Sequence, residues 1–279
     1  MKRLALSFFL LSAVGGAAQR FTVHGHRGAA ALRPENTIPS YQEAIRAGAD
    51  YIEMDVAVTG DNVLVISHDP VINLDICTGA GGKRPIHELT LEQVRQYDCG
   101  SLTLKKFPRQ VAVPGTRIPT LDEVLDLSKS SAIKFNIEIK SDPKWNNYTL
   151  PPDELSKRVV DAVRKHQLEK RVLIQSFDFR VVKAVRAIAP DLDVAALYGP
   201  GERSFVDIAQ ETGAKIITPL QSLVTAEKLR AAHEAGIQVI PWTVDKKEDW
   251  DRLIDLGVDG IISNDPGALI AHLRARGIR

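Results

Sequence analysis

The sequence predicts an α/β fold: a TIM (β/α)8 barrel with an antiparallel hairpin after strand 2 and a small insertion at the C-terminal mouth. Three observations carry this expectation. Apolar, β-rich runs alternate with amphipathic stretches along most of the 279 residues, the pattern of a parallel sheet with helical crossovers. Nine such runs are present, one more than a barrel needs. Only four residues, Thr-Gly-Asp-Asn, separate Val58 from Val63. A parallel crossover takes about a dozen residues, so YIEMDVAV (51–58) and VLVISH (63–68) form a hairpin around Gly60-Asp61. Eight parallel strands remain. A doubly wound sheet competes, but no GxGxxG follows the first strand.

In order, the strands are FTVHG (21–25), YIEMDVAV with its return VLVISH, FNIEIK (135–140), VLIQSF (172–177), DVAALY (193–198), KIITPL (215–220), QVIPWTV (238–244) and GIIS (260–263). Helical stretches fall at 37–47, 120–130, 153–167, 179–188, 204–212, 225–235, 246–256 and 266–275. Thr120 with Glu123, and Asp245 with Glu248, read as capping boxes. Residues 69–119 interrupt the rhythm and are too long for an ordinary connection. They carry a short capped helix (Thr90 to Gln96) and both cysteines. The insertion, about residues 70–118, is expected over the mouth, where barrel enzymes build their sites.

Lys2 and Arg3 precede an apolar run, Leu4 to Val14, and then small residues. This reads as a secretory signal peptide, residues 1–18, ahead of a barrel domain at 19–279; the run is too short for a comfortable membrane span. A periplasmic or secreted location follows, with no stable membrane span after cleavage. Cys77 and Cys99 would then meet an oxidising environment, and either a disulfide or two free thiols fits their spacing. With 36 basic and 35 acidic residues, composition carries no nucleic-acid footprint.

A fully enclosed parallel strand is expected to be continuously apolar. Glu53 and Asp55 break that rule two residues apart, as do Glu138 and Lys140, so each pair shares a strand face. Three inward carboxylates raise one another's pKa unless a cation resolves the repulsion. All-oxygen ligation favours one divalent cation, Ca²⁺ or Mg²⁺, over zinc. A layer of salt bridges to Arg27 and Lys140 competes with this reading, but three acids against two bases leave negative charge in excess. The hairpin places His68 opposite Glu53 to within a residue or so of register. His26 ends the first strand beside Arg27, between Gly25 and Gly28. Two imidazoles, an arginine and an acidic cation site meet the needs of phosphodiester cleavage.

HRGAAALRPENT (26–37), GADYIEMDVAVTGDNVLVISHD (48–69), NIEIK (136–140), QSF (175–177) and PWTV (241–244) together resemble the glycerophosphodiester phosphodiesterase family. The resemblance implies a TIM barrel that hydrolyses glycerophosphodiesters to sn-glycerol 3-phosphate and an alcohol. It implies Ca²⁺ or Mg²⁺ on Glu53, Asp55 and Glu138, with His26 and His68 as the acid/base pair. Arg27 and Lys140 match phosphate contacts, and Phe177 and Trp242 match positions near glycerol and metal. It leaves open which histidine is the acid and whether a cyclic phosphate forms. His24 has no such match and reads as packing or support. A phospholipase D-like enzyme on lysophospholipids and a non-catalytic phosphoester-binding protein are the alternatives. A serine hydrolase is disfavoured because no GxSxG elbow is present.

Overall fold

The computed structural model describes residues 21–145 and 148–279 of the chain. The expected signal peptide lies outside the described residues. The first strand, β1 (Thr22–Gly25), is paired on one side with β2 (Tyr51–Val58) and on the other with β9 (Gly260–Ser263). From β2 the parallel ladder continues through β4 (Lys134–Ile139), β5 (Val172–Ser176), β6 (Asp193–Tyr198), β7 (Ile216–Pro219) and β8 (Gln238–Val239). The apolar run 238–244 gives a regular strand only at its first two residues. Pro241 explains the interruption, because it has no N–H to give the ladder. The seam is nevertheless bonded: Asp259 N donates to Val239 O (3.0 Å), Ile262 N to Pro241 O (3.0 Å) and Val244 N to Ile262 O (3.0 Å). Eight parallel strands thus come round to a nearly closed barrel.

Helices cover the outside. α1 (Ile38–Ala47) starts at a Thr37 cap and ends on Gly48, whose φ of 88° only glycine adopts freely. The stretch 120–130 splits into α3 (Leu121–Leu125) and a 3-10 turn; its capping box between Thr120 and Glu123 is formed. α4 (Pro152–Lys165), α5 (Phe179–Ile188), α6 (Phe205–Thr212), α7 (Ala226–Glu234), α8 (Lys247–Leu256) and α9 (Pro266–Ala275) fall within a residue or two of the periodicity. The box expected at Asp245 is not formed. α8 has no side-chain cap, and Asp245 is engaged elsewhere, as described below. No described helix is long and apolar enough to cross a membrane.

The return strand β3 (Leu64–Ile66) pairs antiparallel with β2: Val56 with Ile66, Ala57 with Val65, Val58 with Leu64. The hairpin is present, and its register lies one residue from the central pairing, within the residue or so by which the sequence leaves it open. Thr59 N donates to Val63 O (3.0 Å), and the loop between them has three residues, ending in left-handed Asn62 (φ 66°). A three-residue loop of this kind closes with a left-handed last residue. His68 therefore lies beyond the ladder rather than opposite Glu53. Period two divides the hairpin between two cores: Val56, Val58 and Ile66 pack with α3, while Ala57 and Val65 join a smaller cluster built by the insertion.

That smaller cluster contains Ile72, Ile86, Leu89, Val94, Tyr97 and the disulfide Cys77–Cys99. The short helix α2 (Leu91–Val94) carries a full capping box from Thr90 and Gln93. The insertion is stitched to the β1–α1 loop: Gln110 Nε2 donates to Ala30 O (2.7 Å) and Val111 N to Leu32 O (3.0 Å). The disulfide fastens a unit whose own core is small, the situation in which a cross-link contributes most.

Candidate active site

β1 runs out at Gly25, and the chain turns back within three residues. A Cβ on Gly25 would lie 2.3 Å from Gly28 O, so the turn closes only around glycine. Arg27 takes φ 50° and Gly28 φ 88°. A left-handed non-glycine residue costs about 1–3 kcal/mol and calls for a compensating contact. Here that contact is Arg27 N donating to Glu53 Oε2 at 2.8 Å.

The ladder register assembles the acids. Asp55 is paired with Glu138, and Glu53 with Asn136. One carboxylate oxygen from each of Glu53, Asp55 and Glu138 lies within 4.8 Å of the others, all three buried. The PENT segment braces them. Arg27 Nη1 donates to Glu35 Oε1 (2.5 Å), and its Nε faces Asp55 Oδ2 (3.3 Å). Left-handed Asn36 (φ 58°) donates from Nδ2 to Asp55 Oδ2 (2.8 Å) and accepts from Tyr41 Oη (2.9 Å). Lys140 Nζ donates to Glu138 Oε1 (2.8 Å) and lies 3.7 Å from Asp55 Oδ1.

The salt-bridge layer weighed from the sequence is therefore real, but incomplete. Burial opposes ionisation of Asp55, yet Arg27 and Lys140 outweigh it and hold the carboxyl below its usual range. Glu138 is raised, chiefly by burial, with Lys140 opposing. Glu53 is raised well above the ordinary value by burial and by Asp55 and Glu138. Among the described residues no lysine or arginine side chain forms a salt bridge with Glu53; its contacts are Arg27 N and Gln175 Nε2, the latter at 3.5 Å. A buried carboxylate lacking a cation, beside two others, suits a hard divalent ion. Glu53, Asp55 and Glu138 would hold it.

Both histidines reach the same cavity, of about 130 Å³, together with Arg27, Glu53, Lys140 and Gln175. Each is held by its Nδ1. His26 Nδ1 lies 2.7 Å from Asn264 Oδ1. Asp245 fixes that amide by accepting from Asn264 Nδ2 (2.6 Å) and Asn264 N (2.8 Å). Asn264 thus presents oxygen to His26, which places the proton on Nδ1 and leaves Nε2 a free acceptor. Burial and the neighbouring Arg27 push this imidazole down to about 3. His68 Nδ1 lies 2.9 Å from Asp69 Oδ1, and Asn73 Nδ2 steadies the other carboxylate oxygen at 2.9 Å. The hydrogen bond from His68 holds Asp69 below the usual carboxylate value.

The model of the glycerophosphoryl diester phosphodiesterase family matches residues 26–268. The chain belongs to this family. It is 35% identical over 255 residues to a glycerophosphodiester phosphodiesterase of Caldanaerobacter subterraneus subsp. tengcongensis, covering 91% of this chain and 98% of that protein. A glycerophosphodiester phosphodiesterase of Bacillus subtilis is 30% identical over 282 residues, with 94% and 92% coverage. A crystal structure from Silicibacter pomeroyi DSS-3, described under the same family name, matches with TM-score 0.87 at 30% identity, over 94% of this chain and 96% of its own.

Phe177 and Trp242, singled out by resemblance to this family, meet edge to face at 5.3 Å on the cavity wall. Trp242 is anchored by Nε1 donating to Thr218 O (2.9 Å), while Phe177 is 42% exposed at the mouth. His24 is fully buried, stacked on Tyr51 at 4.2 Å, and lines no part of the cavity; it is packing. Sequence reasoning gave no role in the site to Glu35, Asn36, Asn264 or Gln175, and read Asp245 only as a helix cap. Three of these lie in quoted motifs, PENT and QSF, which was the only signal available. Asp245 and Asn264 are 19 residues apart, and Asn264 meets His26 across 238 residues, through barrel closure alone.

Proposed function

We propose that this protein hydrolyses glycerophosphodiesters to sn-glycerol 3-phosphate and an alcohol, with one divalent cation, Ca²⁺ or Mg²⁺, and His26 and His68 as acid and base. The observation that carries the reading is the meeting of two Nδ1-anchored histidines, Arg27, Lys140, Glu53 and Glu138 around one small cavity, with Asp55 clustered against the two glutamates. The relatives' names support the substrate class. When bound, the cation supplies positive charge against the phosphoryl oxygens.

The residues divide the remaining work. Arg27 and Lys140, already turned toward Asp55 and Glu138, contact the phosphate. His26, neutral and backed by an amide oxygen, accepts at Nε2 the proton of the attacking water, or of the glycerol 2-hydroxyl where a cyclic phosphate forms first and water then opens it. His68, held at Nδ1 by the Asp69 carboxylate, protonates the departing alkoxide from Nε2. One P–O bond forms and one breaks, and the proton lost by the nucleophile is balanced by the one gained by the alcohol. Phe177 and Trp242 offer an apolar wall to the glycerol carbons. The formed disulfide supports an exported location, with residues 1–18 as signal peptide and 19–279 as the barrel domain carrying the insertion at about 70–118.

The test is release of glycerol 3-phosphate from glycerophosphocholine or glycerophosphoethanolamine. Release in Ca²⁺ or Mg²⁺ that stops with chelator is expected; no release in either ion would sink the substrate assignment. A lysophospholipid run in parallel addresses the phospholipase reading. The Asp245–Asn264 support yields a second expectation. Asn264→Ala frees the His26 ring to rotate and swap tautomers, so kcat is expected to fall about 10–100-fold, as for other groups that orient a functional histidine. KM and Ca²⁺ affinity are expected to stay within about twofold. A fall confined to KM would show that Asn264 serves binding instead.

A further inference from the structure

The buried polar atoms of the barrel contain one that the reaction above does not use. Gln175 is 2% exposed on β5. Its register partner across the ladder is Glu138, which is in turn paired with Asp55. The three side chains therefore form one row across β2, β4 and β5, on the face that bears the acids. Gln175 Nε2 is turned toward Glu53 Oε1 at 3.5 Å. Its Oε1 is buried and has no hydrogen-bond partner. Among the described residues it is the one such acceptor that also lines the catalytic cavity.

An orphaned amide oxygen is expensive in a barrel interior, where leucine or methionine would fill the space without cost. Asn36 is committed to Asp55 and Lys140 to Glu138, while Arg27 Nε, itself without a hydrogen bond, faces Asp55 at 3.3 Å. What the site lacks is positive charge, since the three carboxylates Glu53, Asp55 and Glu138 face two cationic side chains, Arg27 and Lys140. A neutral oxygen has a particular value there. Ca²⁺ takes six to eight oxygens, and a fourth carboxylate would add repulsion in a desolvated site. An amide oxygen raises the ligand number without raising the charge.

We propose that Gln175 Oε1 is a fourth, uncharged ligand of the cation held by Glu53, Asp55 and Glu138. The inference rests on the cation reading above. Its test is calorimetric titration of Ca²⁺ into the full chain and into Gln175→Leu and Gln175→Glu, each first stripped with chelator. Gln175→Leu is expected to bind Ca²⁺ about tenfold or more weakly. Its thermal midpoint in chelator is expected to hold or rise, because the orphaned oxygen is gone. Gln175→Glu, which keeps an oxygen at this place, is expected to retain binding. Gln175→Ala carries the same expectation as the leucine variant should the latter not fold. Binding by Gln175→Leu within twofold of the natural chain overturns the proposal, and if KM for glycerophosphocholine then rises, the oxygen serves a substrate hydroxyl. Failure of the natural chain to bind Ca²⁺ or Mg²⁺ overturns the cation reading itself, a result visible before any variant is made.

Discussion

His68→Ala is expected to lower kcat on glycerophosphocholine by about 10²–10⁴, the usual worth of a positioned acid or base, while folding and Ca²⁺ binding persist. His26→Ala is expected to lose a comparable amount. The two variants part company on an activated diester, glycerol 3-(4-nitrophenyl phosphate). Nitrophenolate leaves without help, so removing the general acid costs little there. His68, backed by Asp69 at 2.9 Å, is assigned that role, and His68→Ala is expected to recover most of its loss on the activated substrate. His26, backed by Asn264 at 2.7 Å and pushed down to about 3, is assigned the base, and His26→Ala is expected to remain impaired on both. Recovery by His26→Ala alone would reverse the assignment. An unchanged rate in either variant would remove that residue from the mechanism.

The acids were legible because a polar residue on an enclosed strand violates a strong rule, and period two tells which violations share a face. Eight parallel strands were legible because a four-residue connection is incompatible with a crossover. Register was less so. Thr59 bonds Val63 across a loop closed by left-handed Asn62, and that choice of loop moves every later pairing by one residue. The supports of the site were not legible at all. Asp245 satisfies the local pattern of a helix cap, but its oxygens take Asn264 N, Asn264 Nδ2 and Ser263 Oγ instead. Local propensity loses there to three hydrogen bonds from one neighbouring strand end. Gln175 was hidden for a related reason: an amide inside a barrel announces neither charge nor period, and its meaning depends on which row the register puts it in.

Replacement of Glu53 by glutamine is expected to be the most damaging single change for the cation, and at the same time a stabilising one without it. Among the described residues Glu53 is the acid of the three that forms no salt bridge with a cationic side chain, and Arg27 only partly offsets its burial, so its ordinary charge is what the ion answers. Ca²⁺ affinity is expected to drop by at least about 100-fold, beyond the range for supporting residues, with activity falling to the level seen in chelator. The sign of the pH dependence distinguishes this from a packing defect. Glu53 lies well above its ordinary value in the metal-free fold, so at pH values between the unfolded and folded pKa the native chain holds a proton that the unfolded chain has released. Its contribution favours folding below that window and is lost as pH rises through it. Asp55 has the opposite sign, since Arg27 and Lys140 depress it. Its contribution is present above the ordinary carboxylate value and is lost only on strong acidification, so the two windows do not overlap. In chelator, the natural chain is therefore expected to lose stability from weakly acidic pH upward, and Glu53→Gln to lose less. Calcium must displace the same proton, so affinity is expected to climb about tenfold per pH unit through the window and then level off. Calorimetric titrations at several pH values read this slope directly. A natural chain with pH-independent Ca²⁺ affinity, or a Glu53→Gln variant that keeps the slope, would show that the proton belongs to another group and that Glu53 does not dominate the site.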